Sequence, residues 1–311
     1  MVKIIAEFCQ NHLGDRDLLQ QMITVAKKSG ATYAKIQGLY SHELTERIEF
    51  ENPKGVIFRP YKAELERLSK LDLDFEIEEW FVTECLNNSI IPMITVFSHY
   101  GVDRAFRAGF KHIKIASYDC SSIPLIAKAL KFASELIVST GATEWQDIHH
   151  TANFIAKNRF EHQAIVLLHA TTIYPTPLDK VSLLKMSLLS VFGFDIGYSD
   201  HTNLKETGLY ASKTAIALGA KYIERHFTIL DPSETKDGPI SISGQEVSEL
   251  INFSKQSKLD QFAEINVKNF EKTLLLDSLN PSESESINRS YYRGRVATTL
   301  NGTLYNSWDK M

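Results

Sequence analysis

Two short strings carry the side chains best suited to chemistry. GYSDHT (197–202) sets Ser199, Asp200 and His201 at the close of the apolar run VFGFDIGYSD, and YIERHF (222–227) sets Glu224, Arg225 and His226 at the close of another. Ser, Asp and Thr also cap helices, so one such cluster alone is only punctuation. A lone histidine is more often a hydrogen-bonded packing residue than a ligand. Two of them just past neighbouring apolar runs favour a shared divalent cation, with a carboxylate or water completing its shell. Asp237, in KDGP shortly after the second string, is a carboxylate that completes such a shell or acts through a metal-bound water.

A second set is basic. Lys35 in ATYAKIQ and Lys114 in HIKIASY interrupt runs that are otherwise apolar. An ammonium turned into a covered face costs several kcal/mol unless it meets an anion. Pairing with a carboxylate, Glu7 being the obvious one, satisfies that need, and a Schiff-base role is a further possibility that desolvation favours. With the hydroxyls of Ser117, Ser139 and Ser199, the two lysines also make a cradle for a phosphate and a carboxylate, and the combination favours the cradle. Tyr174 in IYPTP, placed by the turn that Pro175 and Pro177 impose, is either a rim aromatic or a substrate contact. Cys9 and Cys120 fall near run ends without a His/Asp pairing of their own and are expected to pack.

These residues need elements that bring them together. Eight short apolar runs recur, each followed by a polar cluster and then a segment of helical period: 3–9, 31–37, 92–98, 112–118, 135–141, 164–170, 192–199 and 221–227. Near-continuous apolar strands suit a parallel sheet covered on both faces, and eight strand–helix units close a (β/α)8 TIM barrel. LLQQMITVAKKSG and LKETGLYASKTAIALG read as helices ending at Gly30 and Gly219. A doubly wound sheet is the rival, but no GxGxxG follows a strand and no Walker motif occurs. In a barrel the C-terminal strand ends converge on one mouth. They supply Glu7 and Asn11, Lys35 and Gln37, Thr95 and Ser98, Lys114, Ser117 and Asp119, Ser139 and Thr140, His169, Thr172 and Tyr174, Ser199 and His201, and Glu224 to His226.

The barrel is expected over residues 1–265, with 266–311 as a linker and short C-terminal extension. NPSESES (280–286) reads as a polar linker, and 290–308 alternates like a hairpin around Asn301-Gly302. The insertion at 38–91 exceeds the needs of one helix, and part of it is expected over the barrel mouth. A 43% hydrophobic chain of 311 residues has enough apolar material for a full core. A formal charge of −4 offers no basic excess for nucleic acid or an anionic membrane. Three cysteines without a CxxC pair fit a reducing compartment, and no run approaches membrane-spanning length, so a soluble cytoplasmic protein is expected.

IIAEFCQNHLGD, AKIQ, IKIASYDC, LIVSTGAT, LLHATTIYPTP, GYSDHT and YIERHFT together resemble, in order and spacing, the sialic acid (N-acetylneuraminate) synthase family, which includes legionaminate and pseudaminate synthases; the similarity runs over about residues 3–245. The resemblance implies a TIM-barrel transferase that joins phosphoenolpyruvate to an amino-sugar aldehyde and releases phosphate, using Mn2+ or Mg2+, as a homodimer. It places phosphoenolpyruvate on Lys35, Thr95, Lys114, Ser117, Ser139 and Ser199, the metal on His201 and His226, and the sugar and proton transfers on Glu7, Gln37, Asp119, Tyr174 and Asp237.

The chain departs from that pattern where Tyr118 and Asp119 replace a Gly and a Glu, and where Thr172 replaces an Asn that binds sugar or carboxylate. Residues 288–311 are too few for the family's C-terminal antifreeze-like domain, so the sugar pocket needs another cover. Rival readings are a condensing enzyme for a phosphorylated aldose, its second phosphate held by Arg59 and Lys62, and a catalytically inactive sugar-binding barrel.

Overall fold

The computed structural model describes residues 2–310. Eight parallel strands are hydrogen-bonded in chain order: β1 (Lys3–Glu7), β2 (Tyr33–Gly38), β3 (Ile91–Val96), β4 (His112–Ile115), β5 (Glu135–Ser139), β6 (Ala164–Ala170), β7 (Asp195–Asp200) and β8 (Tyr222–Phe227). A β1–β8 pairing closes them into the expected (β/α)8 barrel. Each of the eight strands falls on one of the apolar runs, overrunning it by no more than one residue. No helix among the described residues is long and apolar enough to cross a membrane.

Strand side chains alternate, and here the alternation builds two cores and a site. Outward residues such as Ile4, Ile36, Ile94 and Leu136 pack under the helices. Inward, Ile5, Tyr33, Met93, Ile137, Val166, Leu168 and Tyr222 form an apolar plug. Gly197 makes room for it: a Cβ there would lie 2.5 Å from the Tyr222 carbonyl oxygen and 2.7 Å from Leu168. One inward step nearer the strand ends, the side chains become Glu7, Lys35, Thr95, Ser139 and Glu224. Register sets Glu7 beside both Lys35 and His226, Thr95 beside Gln37 and Lys114, and Ser199 beside Glu224.

The same alternation sorts the two strings that opened the sequence analysis. Ser199, His201, Glu224 and His226 face inward, whereas Asp200 and Arg225 turn outward and form a fully buried ion pair at 2.9 Å. Asp200 also accepts from Ser212 Oγ at 2.6 Å and from the Thr202 amide at 2.9 Å, so its charge is satisfied without a ligand.

Both covering segments differ in detail from expectation. LKETGLYASKTAIALG is two helices, Leu204–Thr207 and Tyr210–Ala217, broken at Gly208, whose φ of +56° no continuous helix accommodates. NPSESES is not wholly a linker, because Glu283–Tyr292 is a helix whose first turn it supplies. Ser282 accepts from the Glu285 amide while the Glu285 carboxylate accepts from the Ser282 amide, a capping box that the S-x-x-E spacing encodes. The expected hairpin is present as β10 (Ala297–Leu300) and β11 (Thr303–Asn306) around Asn301 and Gly302, after the two-residue β9 (Ser241–Ile242) that pairs with β8.

The insertion and the C-terminal extension meet over the mouth. Leu44 bridges to Val296, Thr298 donates to Glu43 at 3.1 Å, and Arg47 donates to the carbonyls of Tyr291 and Arg293.

Candidate active site

The strand ends open into a cavity of about 390 Å3, within the range of small-molecule sites. Its floor is charged. Lys114 Nζ contacts Glu224, and Ser199 Oγ donates to the same carboxylate at 2.8 Å. Lys35 lies beneath the floor with no exposed surface, in contact with Glu7, 2.8 Å from Thr95 Oγ1 and 3.4 Å from Glu224. Two ammonium groups therefore alternate with two carboxylates, and the expected Lys35–Glu7 pair is present. Burial lowers the Lys35 pKa; Glu224 opposes this and Lys114 adds to it. Burial alone would raise Glu224, but the two lysines and the hydrogen bonds from Lys114 and Ser199 hold its carboxyl well below the usual carboxylate range. Above the floor, the Ser117 and Ser139 hydroxyls are 2.9 Å apart, and Gln37, Thr95 and Tyr174 line the same space.

A second group holds the donors for a cation. One ligand atom each from Cys9, His226 and Asp237 lies within 4.8 Å of the others. His226 Nδ1 is buried without a hydrogen-bond partner and sits 3.4 Å from Asp237. Burial raises the Asp237 carboxyl, but the His226 interaction outweighs it and holds the group well below the usual range. An orphaned imidazole nitrogen beside an ionised carboxylate and a thiol fits a divalent cation.

His201 stands next to this set rather than within it. Its Nδ1 donates to the Thr171 carbonyl at 3.1 Å, leaving Nε2 bare 3.3 Å from Ser199 Oγ, and its ring lies 5.6 Å from that of His226 and 4.4 Å from that of Tyr174. Cys9, expected to pack, is buried, and its thiol also lies within ligand distance of His226 and Asp237. It follows Glu7 by two residues, in the turn just past the end of β1, and lines the cavity.

Two proposed substrate contacts lie outside the cavity lining. Asp119 is buried and accepts from Ser307 Oγ at 2.8 Å, and Thr172 donates from its amide to Glu285 at 3.2 Å. Both hold the C-terminal extension. Arg293 adds a hydrogen bond to the Tyr118 carbonyl at 3.0 Å, and Tyr118 stacks on Tyr292 with ring centres 4.6 Å apart. The departures at 118, 119 and 172 thus have a common consequence, the docking of the extension across the mouth. Other strand-end residues are also structural: Asn11 donates to the Phe227 carbonyl, Ser98 to Glu43, and His169 to the Val181 carbonyl.

Sequence reasoning assigned no role to several lining residues. Glu224 shares the inward period with His226, a signal that was present. Arg67, Lys236, Asn288, Tyr292 and Arg295 carried none, because they reach the cavity only when the insertion and extension fold over it.

Burial of two further histidines has a measurable result. Desolvation lowers His12 and His169 to about 4. Below about pH 6.5 the unfolded chain binds protons that the folded chain refuses. Their stabilisation is thus intact above that pH and is lost as pH falls toward 4, at about 1.4 kcal/mol per pH unit for each. The thermal midpoint should fall steeply between pH 6.5 and 4.5, and His169→Gln should make that slope shallower.

Comparison with known proteins agrees with this geometry. The NeuB family profile matches residues 22–261. The chain is 34% identical over 262 residues to the N,N'-diacetyllegionaminic acid synthase of Campylobacter jejuni, spanning 81% of this chain and 75% of that protein. The synthase of the same name from Legionella pneumophila is 29% identical, spanning 80% and 69%. The crystal structure of the N-acetylneuraminic acid synthetase of Leptospira borgpetersenii superposes with a TM-score of 0.67 at 24% identity, covering 93% of this chain and 90% of that one, and so supports the fold. On the extent of the profile match and the identity to the first of these relatives, the chain belongs to the NeuB family.

Proposed function

We propose that this protein condenses phosphoenolpyruvate with the aldehyde of an N-acetylated hexosamine-type sugar, forming a nonulosonic acid and releasing phosphate. The observation that carries the reading is the convergence, in one cavity, of Lys114, three serine hydroxyls and the Cys9–His226–Asp237 donor set. Lys114 and the hydroxyls of Ser117, Ser139 and Ser199 offer charge-assisted and neutral hydrogen bonds to a phosphate and carboxylate. Lys35 keeps Glu7 and Glu224 from repelling that anion.

In the reaction C3 of phosphoenolpyruvate bonds to the aldehyde carbon, whose oxygen takes a proton. Water adds at C2, losing one proton, and the C2–O bond to phosphate breaks as the resulting C2 hydroxyl gives its remaining proton to the departing phosphate and becomes the ketone. In this reading Glu7 and Asp237 carry protons, one to the new hydroxyl and one from the attacking water. A divalent cation held by Cys9, His226 and Asp237, with His201 adjacent, would polarise the aldehyde. An imidazole donor is tolerated better by Mn2+ than by Mg2+, which prefers an all-oxygen shell.

The test is phosphate release from phosphoenolpyruvate over a panel of aldoses with each metal. Turnover that needs both an amino-sugar and the cation, faster with Mn2+ than with Mg2+, is the expected result. Tight sugar binding with no turnover on any aldose would leave the inactive barrel as the better account.

A further inference from the structure

Asp200 and Arg225 take no part in the cavity, yet each stands immediately before one of the two imidazoles, His201 and His226. A buried ion pair is weak evidence of a stabilising role, because the cost of desolvating two charges rivals their attraction. Its best-attested use is to fix how chain segments register.

The sheet shows what there is to fix. β7 and β8 pair from Gly197 with Tyr222 to Asp200 with Arg225, and the ladder stops there. One residue on, both edges of β8 are taken, since His226 pairs with Glu7 of β1 on one side and with Ser241 of β9 on the other. β9 thus occupies the edge that β7 has just left, and the chain carrying His201 departs at a fork between strands. No ladder joins His201 to His226, although their ring centres are 5.6 Å apart.

Arg225 spans that fork from behind. Its Nη1 lies 2.9 Å from Asp200 Oδ2 and 3.2 Å from Thr202 Oγ1, and its Nη2 donates to the Thr202 carbonyl at 3.4 Å. Asp200 in turn accepts from the Thr202 amide at 2.9 Å. One guanidinium therefore grips the residues on both sides of His201, and the residue that carries it adjoins His226. The other partners of His201 are the Thr171 carbonyl at Nδ1, the Thr176 amide at its own carbonyl, and Ser199 Oγ near Nε2. None of them belongs to β8.

We propose that the Arg225 guanidinium, bridging Asp200 and Thr202, is a positioning device that sets the separation of His201 from His226, and so where the His201 imidazole stands relative to the Cys9–His226–Asp237 donors. Its bearing on a cation rests on the synthase reading, whereas the spacing of the imidazoles does not. A planar fork of donors serves a carboxylate and a carbonyl at once, which a single ammonium cannot do.

Two variants of the full-length chain separate positioning from stability. Asp200→Asn/Arg225→Met removes both charges together, so no buried charge is stranded and the barrel should fold. Arg225→Lys keeps a cation for Asp200 but cannot bridge to Thr202 as well. The matched control is Glu78→Gln/Arg104→Met, which removes another buried pair, 2.8 Å apart, between the helices before and after β3.

The first measurement needs no metal. In protein deuterated except at histidine, the nuclear Overhauser cross-peak between the ring protons of His201 and His226 should be lost in both test variants and persist in the control. A cross-peak of wild-type strength in either folded test variant overturns the proposal, and so does its loss in the control, which would assign the effect to general loosening. The second measurement is Co2+ binding, followed by the ligand-field bands. The dissociation constant should rise about tenfold or more in the test variants, with the bands shifted, and stay unchanged in the control. Unchanged affinity and bands in the test variants would overturn the link to the cation. Wild-type protein that binds no Co2+ would instead remove the cation reading and leave the cross-peak to decide the spacing.

Discussion

Lys114→Met is expected to lower kcat/KM for phosphoenolpyruvate by about two to three orders of magnitude, mostly through KM. Lys114 is the ammonium of the floor that lines the cavity, whereas Lys35 is sealed beneath it. Truncating one partner of a buried, hydrogen-bonded charge pair costs about 2–5 kcal/mol, much of it from the charge left behind. Here that charge is Glu224, which would then face an incoming anion with the aid of Lys35 alone, 3.4 Å away. The double variant Lys114→Met/Glu224→Gln tests the separation of roles: it should regain thermal stability, because no carboxylate is stranded, and should not regain affinity for phosphoenolpyruvate. Recovery of substrate affinity in the double variant would mean that Lys114 only neutralises Glu224. Lys35→Met should act differently, losing about 3–5 kcal/mol of stability because it leaves the buried Glu7 without an ion-pair partner.

Removing a donor from the Cys9–His226–Asp237 set should weaken the cation's binding more than any other single change. His226→Ala is expected to raise the metal dissociation constant by at least about a hundredfold, since altering even the partners of metal ligands costs 10–100-fold. The part played by Cys9 has its own signature. Burial and the nearby Asp237 charge push its thiol up, so the metal-free protein should hold it protonated, and a bound cation should take it as the thiolate. Protein loaded with Co2+ should then show a sulfur-to-metal charge-transfer band that Cys9→Ser abolishes while the weaker ligand-field bands persist. A band unchanged by Cys9→Ser would return Cys9 to the packing role first expected of it.

Much of the site was legible because strand period and strand ends are local properties. Glu7, Lys35, Gln37, Thr95, Lys114, Ser139, Ser199, His201 and His226 lie on or just past strands, and two-residue alternation sends them inward wherever the barrel closes. Ser117, Tyr174 and Asp237 follow strands closely enough to share the mouth. Asp119 and Thr172 are also near strand ends, yet they serve the C-terminal extension, because loop residues past a strand are free of the alternation and turn toward whichever partner satisfies them. Asp119 finds Ser307, and Thr172 finds Glu285, each more than a hundred residues away in the chain.

The sequence by itself determined the barrel, its closure and the charged inner layer, since eight apolar runs with the same alternation allow few other ways to bury their faces. It also determined the hairpin at Asn301-Gly302 and the capping box at Ser282. Only the tertiary structure decided that a thiol lies within ligand distance of His226 and Asp237, that Glu224 bridges the two lysines while Glu7 meets Lys35, and that cations from three distant segments line one cavity. The physical reason is range: backbone period and capping act over a few residues, whereas desolvated charges and donor sets are assembled by chain segments that meet only after the barrel has formed.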